Sequence, residues 1–231
     1  MKDLIGRAIL DFQTNNSPEN VITETNISDP DEMEVSYLFR DFDDMPTLER
    51  RALAMSNGKI LDVGCGAGSH SLYLQNIKLD VTAIDISPNA IEACRLRGLK
   101  SVILADIINF QGSFDTILLM MNGTGICGTI ENTIPFFEKL KSLLNDGGQI
   151  LVDSSDIIYM FDEDEILQKL ENSEYYGQLT FSITYKGEKG EPFDWLYLDF
   201  TTLEKKAELA GLKCELIMHG DSHDYLARLY V

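Results

Sequence analysis

The chain has 231 residues, with 19 Lys and Arg against 38 Asp and Glu, a net charge of −19 at pH 7. Hydrophobic residues make up 44% and charged residues 25%, which is the usage of a folded globular domain and argues against disorder. The acidity argues against nucleic acid or an anionic membrane as partner, since both recruit clustered Lys and Arg. Here the bases are scattered, as in Arg50–Arg51, Arg95 with Arg97, and Lys205–Lys206. No apolar run reaches the roughly 18 residues of a membrane helix. The opening Met1-Lys2-Asp3-Leu4-Ile5-Gly6-Arg7 lacks the features of a signal peptide. Cys65, Cys94, Cys127 and Cys214 show no CxxC spacing. They are expected as buried thiols of a cytoplasmic protein, without a disulfide or metal framework. The oligomeric state has no signature.

Leu4, Ile5, Ala8, Ile9 and Phe12 recur at helical spacing and predict a helix over 2–13. An acidic, Pro-punctuated stretch follows, and a second helix is predicted from Pro46–Thr47 to Asn57–Gly58. From residue 59 short apolar runs alternate with helices. The runs are 59–63, 79–84, 101–105, 114–120 and 148–153, each too apolar to alternate in and out, as in parallel strands buried on both faces. Ser87-Pro88 marks one helix start, and Ile134, Phe137, Leu140 and Leu144 form the stripe of another. Residues 155–200 interrupt this rhythm with a short acidic-headed helix and a hairpin, 179–185 against 193–199. A helix at 201–210 and strands at 212–218 and 225–231 close the chain. This pattern predicts a doubly wound α/β sheet. The organisation expected is an N-terminal helical lid (1–57), a core (58–154 and 201–231) and an inserted lid (155–200).

The most informative segment is Ile60-Leu61-Asp62-Val63-Gly64-Cys65-Gly66-Ala67-Gly68. A buried strand runs into three alternate glycines, and a helix begins at Ser69. Such a loop lets a ligand approach the backbone, and the helix start favours an anionic group. Asp85 ends the next strand, where an acid grips both hydroxyls of an adenosine ribose. Asp106 ends the third. A dinucleotide site would space its glycines G-x-G-x-x-G. The G-x-G-x-G spacing, with Asp62 two residues ahead, suits an ammonium or sulfonium better than a pyrophosphate.

These residues resemble the class I S-adenosylmethionine-dependent methyltransferases, well over 59–153 and in outline over 201–231. The resemblance implies a seven-stranded, mostly parallel sheet in the order 3-2-1-4-5-7-6 with the last strand antiparallel. It implies S-adenosyl-L-methionine as cofactor. Asp62, Gly64, Cys65, Gly66 and Gly68 would take its methionine end, Asp85 and Ile86 its ribose side, and Asp106 and Ile107 its adenine side. Met121 and Asn122 would line the methyl-donor pocket. The Pro-Pro-aromatic motif of amino-methylating DNA enzymes is absent from Met120-Met121-Asn122-Gly123-Thr124-Gly125. A small-molecule acceptor is therefore expected. A nicotinamide-dependent oxidoreductase and a non-catalytic adenosylmethionine-binding module remain as alternatives.

Acceptor-side residues are less marked. Arg40 is open to two readings, a donor to the cofactor carboxylate or a partner of Asp41, Asp43 or Asp44. Tyr37 and Phe39 face the pocket or pack within the lid. His70 touches the cofactor or packs in the first turn of its helix. Asp153, Ser154, Ser155, Asp156 and Tyr159 leave the fifth strand at the ligand edge, and Asp156 and Tyr159 are taken as pocket residues. His219 joins them as a turn residue bordering the pocket. With His223, Asp221 and Asp224 it superficially resembles a metal cluster, but no third His is near and no metal is expected. Trp195 and Tyr197 are read as packing residues. No general base is marked.

Overall fold

The computed structural model describes residues 2–231. Helix α1 (Leu4–Thr14) is followed by two short strands, β1 (Val21–Thr25) and β2 (Asp31–Met33). Then come 3-10 turns at Val35–Phe39 and Phe42–Asp44, and helix α2 (Thr47–Met55). The core starts with β3 (Lys59–Val63), α3 (Ser69–Asn76), β4 (Asp80–Asp85), α4 (Pro88–Leu96) and β5 (Val102–Leu104). It continues through β6 (Phe114–Leu119), a 3-10 turn at Gly123–Cys127, α5 (Thr133–Lys141) and β7 (Leu144–Ser155). The insert holds α6 (Glu163–Glu171), β8 (Gln178–Tyr185), β9 (Glu188–Lys189) and β10 (Phe193–Leu196). Helix α7 (Phe200–Leu209) and strands β11 (Lys213–His219) and β12 (Asp224–Tyr230) complete the chain.

Seven strands form the main sheet in the order β11-β12-β7-β6-β3-β4-β5. Numbered by appearance within the core and read from β5, this is 3-2-1-4-5-7-6. β3 to β7 are parallel, and β12 runs antiparallel to both β7 and β11. Alternation along the strands builds two cores. Leu61, Ile117, Leu119, Ile150 and Val152 pack with Phe136, Phe137 and Leu140 of α5 and Leu203 of α7. Ile60, Leu118, Leu151 and Leu226 pack with Leu48, Ala52 and Leu53 of α2 and Leu74 of α3. Each such fully buried side chain contributes about 1.5–3 kcal/mol of apolar transfer. β7 starts at Leu144, ahead of the expected 148, and shifts register against β6 before Gln149.

The N-terminal segment carries β1 and β2 in addition to its two helices. They join the insert in a second sheet, β10-β8-β1-β2, with β9 against β8. β1 lies antiparallel to β8, Ile22 opposite Thr184. α1 covers this sheet through Leu4, Ala8, Val21, Val35, Ile183 and Tyr185. Lys2 and Arg7 both pair with Glu188, at 2.8 and 2.7 Å, and Lys186 pairs with Asp11 at 2.7 Å.

Candidate functional site

The carboxyl ends of β3, β4, β6 and β7 share one edge of the sheet, the position where open α/β sheets bind ligands. β3 runs into Gly64, Gly66 and Gly68 at φ of 71°, 52° and 80°. Gly64 and Cys65 donate their N–H groups to the Ile84 carbonyl at 2.9 and 3.1 Å, folding the loop toward β4. At Gly68 a Cβ would stand 2.6 Å from Leu99 Cδ1 and 2.8 Å from Cys94 Sγ, so both φ and space demand glycine there. Cys65 is buried beneath the loop, its Sγ 3.9 Å from that of Cys94, and the neighbouring thiol and burial push its pKa up.

Asp85 accepts from Gly66 N–H at 2.9 Å through Oδ2 and from Ser87 N–H at 2.8 Å through Oδ1. Burial raises its pKa. Ile86 beside it is 72% exposed. Asp106 is exposed and accepts from Ile108 N–H at 2.9 Å, while Ile107 turns inward and is buried. Asp62 is buried under α3 and accepts from Ser71 Oγ at 2.6 Å; burial raises its pKa too.

Met121 and Asn122 follow β6 with φ of 64° and 59°, two successive non-glycine residues in the left-handed region, a strain typical of functional loops. Asp153 holds them, accepting from Met121 N–H at 3.1 Å and Gly123 N–H at 3.3 Å. Asn122 Oδ1 accepts from Ser154 Oγ at 2.8 Å, and its Nδ2 donates to the Leu196 carbonyl at 3.2 Å. Trp195 lies on Gly125, where a Cβ would meet the indole at 2.0 Å. The insert is thus seated on this loop.

The remaining expected site residues have partners of their own. Arg40 is buried, and its partner is none of its neighbouring aspartates. Its guanidinium bonds Glu49 and donates to the Tyr37 carbonyl at 2.5 Å. Glu49 also holds His70 Nε2 at 2.6 Å, so His70 packs in a buried charge network. Arg40 further stacks on the Tyr37 ring, 4.0 Å from its centroid. Phe39 packs against Phe12 at 4.6 Å and beneath Arg97 at 4.7 Å, on the cluster that holds Ala67 of the glycine loop. His219 is exposed at the end of the outermost strand, opposite Tyr225. Two strand spacings, about 10 Å, separate β11 from β7, so His219 stands at the rim of the same sheet edge. Asp156 accepts from Tyr176 OH at 2.8 Å and Ile158 N–H at 3.0 Å. Tyr159 stacks on His223 at 4.4 Å.

The sequence reading missed Glu49, although it falls on the buried Leu48–Ala52–Leu53 stripe of α2, where an acid needs a partner. Among the described residues no three His, Cys, Asp or Glu cluster as metal donors.

The edge accordingly offers carboxylates and open space. At Gly66 a Cβ would meet only Ile9 Cδ1, at 4.0 Å, so the loop is clear above its backbone. Asp62, Asp85 and Asp153 form no ion pair among the described residues. A pyrophosphate is repelled by such a set, while a ribose diol and a sulfonium or ammonium are received by it. This donor set fits S-adenosylmethionine.

Sheet order, glycine loop and the acid after β4 together define a class I methyltransferase. A family model described as a methyltransferase domain matches residues 54–206, and the chain belongs to the S-adenosylmethionine-dependent methyltransferases of this class. It is 47% identical to a SAM-dependent methyltransferase from Bacteroides fragilis whose crystal structure contains S-adenosyl-L-homocysteine. That match covers 100% of this chain and 95% of the other, with a TM-score of 0.91. A sugar N-methyltransferase from Streptoalloteichus sp shares the fold, with a TM-score of 0.58 at 15% identity over 90% of this chain and 96% of that one. Among curated proteins, a ubiquinone biosynthesis O-methyltransferase from Xanthomonas euvesicatoria is 28% identical over 109 residues, 43% of this chain. The chain spans 44% of that relative's length. These relationships set aside the nicotinamide oxidoreductase. Among the described residues no helix is long and apolar enough to cross a membrane.

Proposed function

We propose that the protein transfers a methyl group from S-adenosyl-L-methionine to a small-molecule acceptor at the carboxyl edge of β6 and β7. Asp85 is assigned the ribose hydroxyls, with Gly64, Cys65, Gly66, Gly68 and Asp62 around the methionine end. Ile86, Asp106 and Ile107 flank the adenine, and Met121 and Asn122 face the methyl. When bound, the cofactor supplies an electrophilic methyl carbon on sulfur; the chain orients the reactants and excludes water, and orientation alone is worth about 7–11 kcal/mol in favourable cases. Residues 1–57 and 155–200, joined through β1 and β8, form the cover that excludes it. The observation that carries the reading is Asp85, fixed by Gly66 and Ser87 N–H and with no ion pair among the described residues, at the end of the second core strand.

Calorimetry tests it. S-adenosyl-L-methionine and S-adenosyl-L-homocysteine are expected to bind at roughly micromolar affinity, about −8 kcal/mol, and NAD not at all. NAD binding without a response to S-adenosyl-L-methionine rejects the assignment.

A further inference from the structure

Asn122 meets the insert in a junction closed to solvent. Ser154 of β7, Thr124 of the turn after β6, and Leu196 and Leu198 of the insert are all buried. The chemistry of these groups fixes every proton between them. The Leu196 carbonyl can only accept, so the amide nitrogen of Asn122 faces it, at 3.2 Å, and Asn122 Oδ1 faces Ser154 Oγ, at 2.8 Å. Oδ1 can only accept in turn, so the Ser154 proton goes to it. The Leu198 N–H donates to Ser154 Oγ at 2.9 Å. Thr124 Oγ1 stands 2.7 Å from Ser154 Oγ, a contact that needs a proton between the oxygens. Thr124 supplies it, in preference to its longer contacts with the Leu196 carbonyl at 3.0 Å and Asn122 Oδ1 at 3.2 Å. Ser154 is therefore the hub: it takes the backbone N–H of the insert and passes its own proton to Asn122. The Leu198 carbonyl has a separate hold, accepting from Tyr225 OH at 2.7 Å.

The other side of the junction is the strained loop, with Met121 and Asn122 at φ of 64° and 59°. Two successive residues at the end of β7 hold it. Asp153 takes its backbone N–H groups at Met121 and Gly123, and Ser154 takes the Asn122 side chain. We infer that Ser154 is a positioning residue: through the Asn122 amide it ties the methyl-side loop to the insert, so that filling the cofactor site steadies the cover over the acceptor space. This role rests on the function proposed above, which sets Met121 and Asn122 against the methyl group. Coupling of this kind needs an element with two arrangements. The insert is that element, seated on the core through Trp195 on Gly125 and through the Ser154 junction, or lifted from both. A cofactor that fixes the Asn122 amide fixes the partners of Leu196 and Leu198 with it and favours the seated form. By linkage, the seated insert strengthens cofactor binding by the same factor.

Trp195 is the sole tryptophan of the chain and lies on Gly125, so its emission reports the seat directly. Saturation with S-adenosyl-L-homocysteine is expected to shift that emission and to slow amide exchange over 195–199 by about tenfold. In Ser154→Ala, saturated likewise, the emission is expected to stay in place and exchange to slow by less than about twofold; S-adenosyl-L-homocysteine then binds up to about tenfold more weakly, as reciprocity requires. Thr124 gives a second comparison, which decides the matter if Ser154→Ala does not fold. Thr124→Ser keeps the hydroxyl and drops the methyl, whereas Thr124→Val keeps the shape and drops the hydroxyl. Both responses are expected to persist in Thr124→Ser and to shrink in Thr124→Val; a role in packing alone gives the reverse order. Full responses in folded Ser154→Ala, or that reverse order in the Thr124 pair, overturn the positioning role. Wild-type protein that binds S-adenosyl-L-homocysteine with neither response overturns the coupling and leaves the cofactor assignment standing. Failure of S-adenosyl-L-homocysteine to bind overturns the cofactor assignment and this inference with it.

Discussion

Asp3 of α1 and Ser87 of α4 meet head to head: the Ser87 hydroxyl donates to Asp3 Oδ2 at 2.8 Å. Each residue caps its own helix, Asp3 accepting from Gly6 N–H at 3.1 Å and Ser87 from Ala90 N–H at 2.9 Å. Asn89 adds a side-chain bond to Asp3 at 2.9 Å. The N-terminal helix is thereby fastened two residues beyond Asp85.

Asp3→Ala removes the α1 cap and the link to α4. A lost cap costs about 0.5–2 kcal/mol, and the residues it fastens lose protection with it. Amide exchange over 4–14 is expected to quicken while β3 to β7 stay slow, and S-adenosyl-L-homocysteine affinity is expected to fall. Unchanged exchange in α1 would contradict the fastening role.

Asp85→Asn tests the ribose assignment more cleanly than alanine, because the carboxamide oxygen retains one of the two backbone N–H groups. Losing charge-assisted bonds to the ribose hydroxyls is expected to weaken S-adenosyl-L-homocysteine by about 1.5–3 kcal/mol. Thermal stability is expected to change little, since the relief of a charge that burial disfavours opposes the one N–H left facing the carboxamide NH2. An unchanged dissociation constant in the folded variant refutes the assignment.

Glu49 is the common partner of Arg40 and His70. The two partners hold its carboxyl below the ordinary value despite burial. Glu49→Gln leaves a buried guanidinium uncompensated and is expected to cost about 3–5 kcal/mol in denaturant unfolding near neutral pH. A depressed carboxyl pKa stabilises the fold above the unfolded value of 4.5 and loses that contribution as pH falls through the folded value. The gap between wild type and Glu49→Gln is therefore expected to narrow on acidification. A gap that is constant, or that widens in acid, contradicts the network.

The main sheet was legible because parallel strands buried on both faces leave continuous apolar runs, as β3, β4, β6 and β7 do; β5, also an apolar run, is the edge strand and leaves Ile103 and Leu104 exposed. The glycine loop was legible because Gly68 has a backbone and a space that admit nothing else. What escaped notice depends on partners remote in sequence. Arg40 stands beside three aspartates, yet its partner lies on α2, because the 3-10 turns at 35–44 carry the guanidinium inward. Val21-Ile22-Thr23-Glu24-Thr25 has strand-forming residues, but β8, the partner that makes it a strand, comes after the whole parallel core. His219, expected in the turn after the sixth strand, is the last residue of that strand, β11.

The link between the N-terminal segment and the insert carries the last prediction. β1 pairs with β8 from Ile22 opposite Thr184 to Thr25 opposite Phe181. On its other side β1 has only β2, three residues long. Two short strands do not hold alone in water, so β1 depends on the insert. The insert depends on the N-terminal segment in turn, because Ile183 and Tyr185 bury themselves against Leu4, Ala8 and Val21. This joint body touches the core on both flanks of the cleft, at α4 through Asp3 and at the Gly123–Cys127 turn through Trp195 and Leu196. We expect it to open and close as one unit. Hydrogen exchange is expected to show 21–25 and 178–185 opening together, and slowing together when S-adenosyl-L-homocysteine is bound. Val21 is 0% exposed, so Val21→Asp puts an unpaired charge into the shared core. That variant is expected to speed exchange in 178–185 as much as in 21–25, with β3 to β7 unaffected. Protection persisting in 178–185 would mean two independent covers, and the cleft would then open from either side alone.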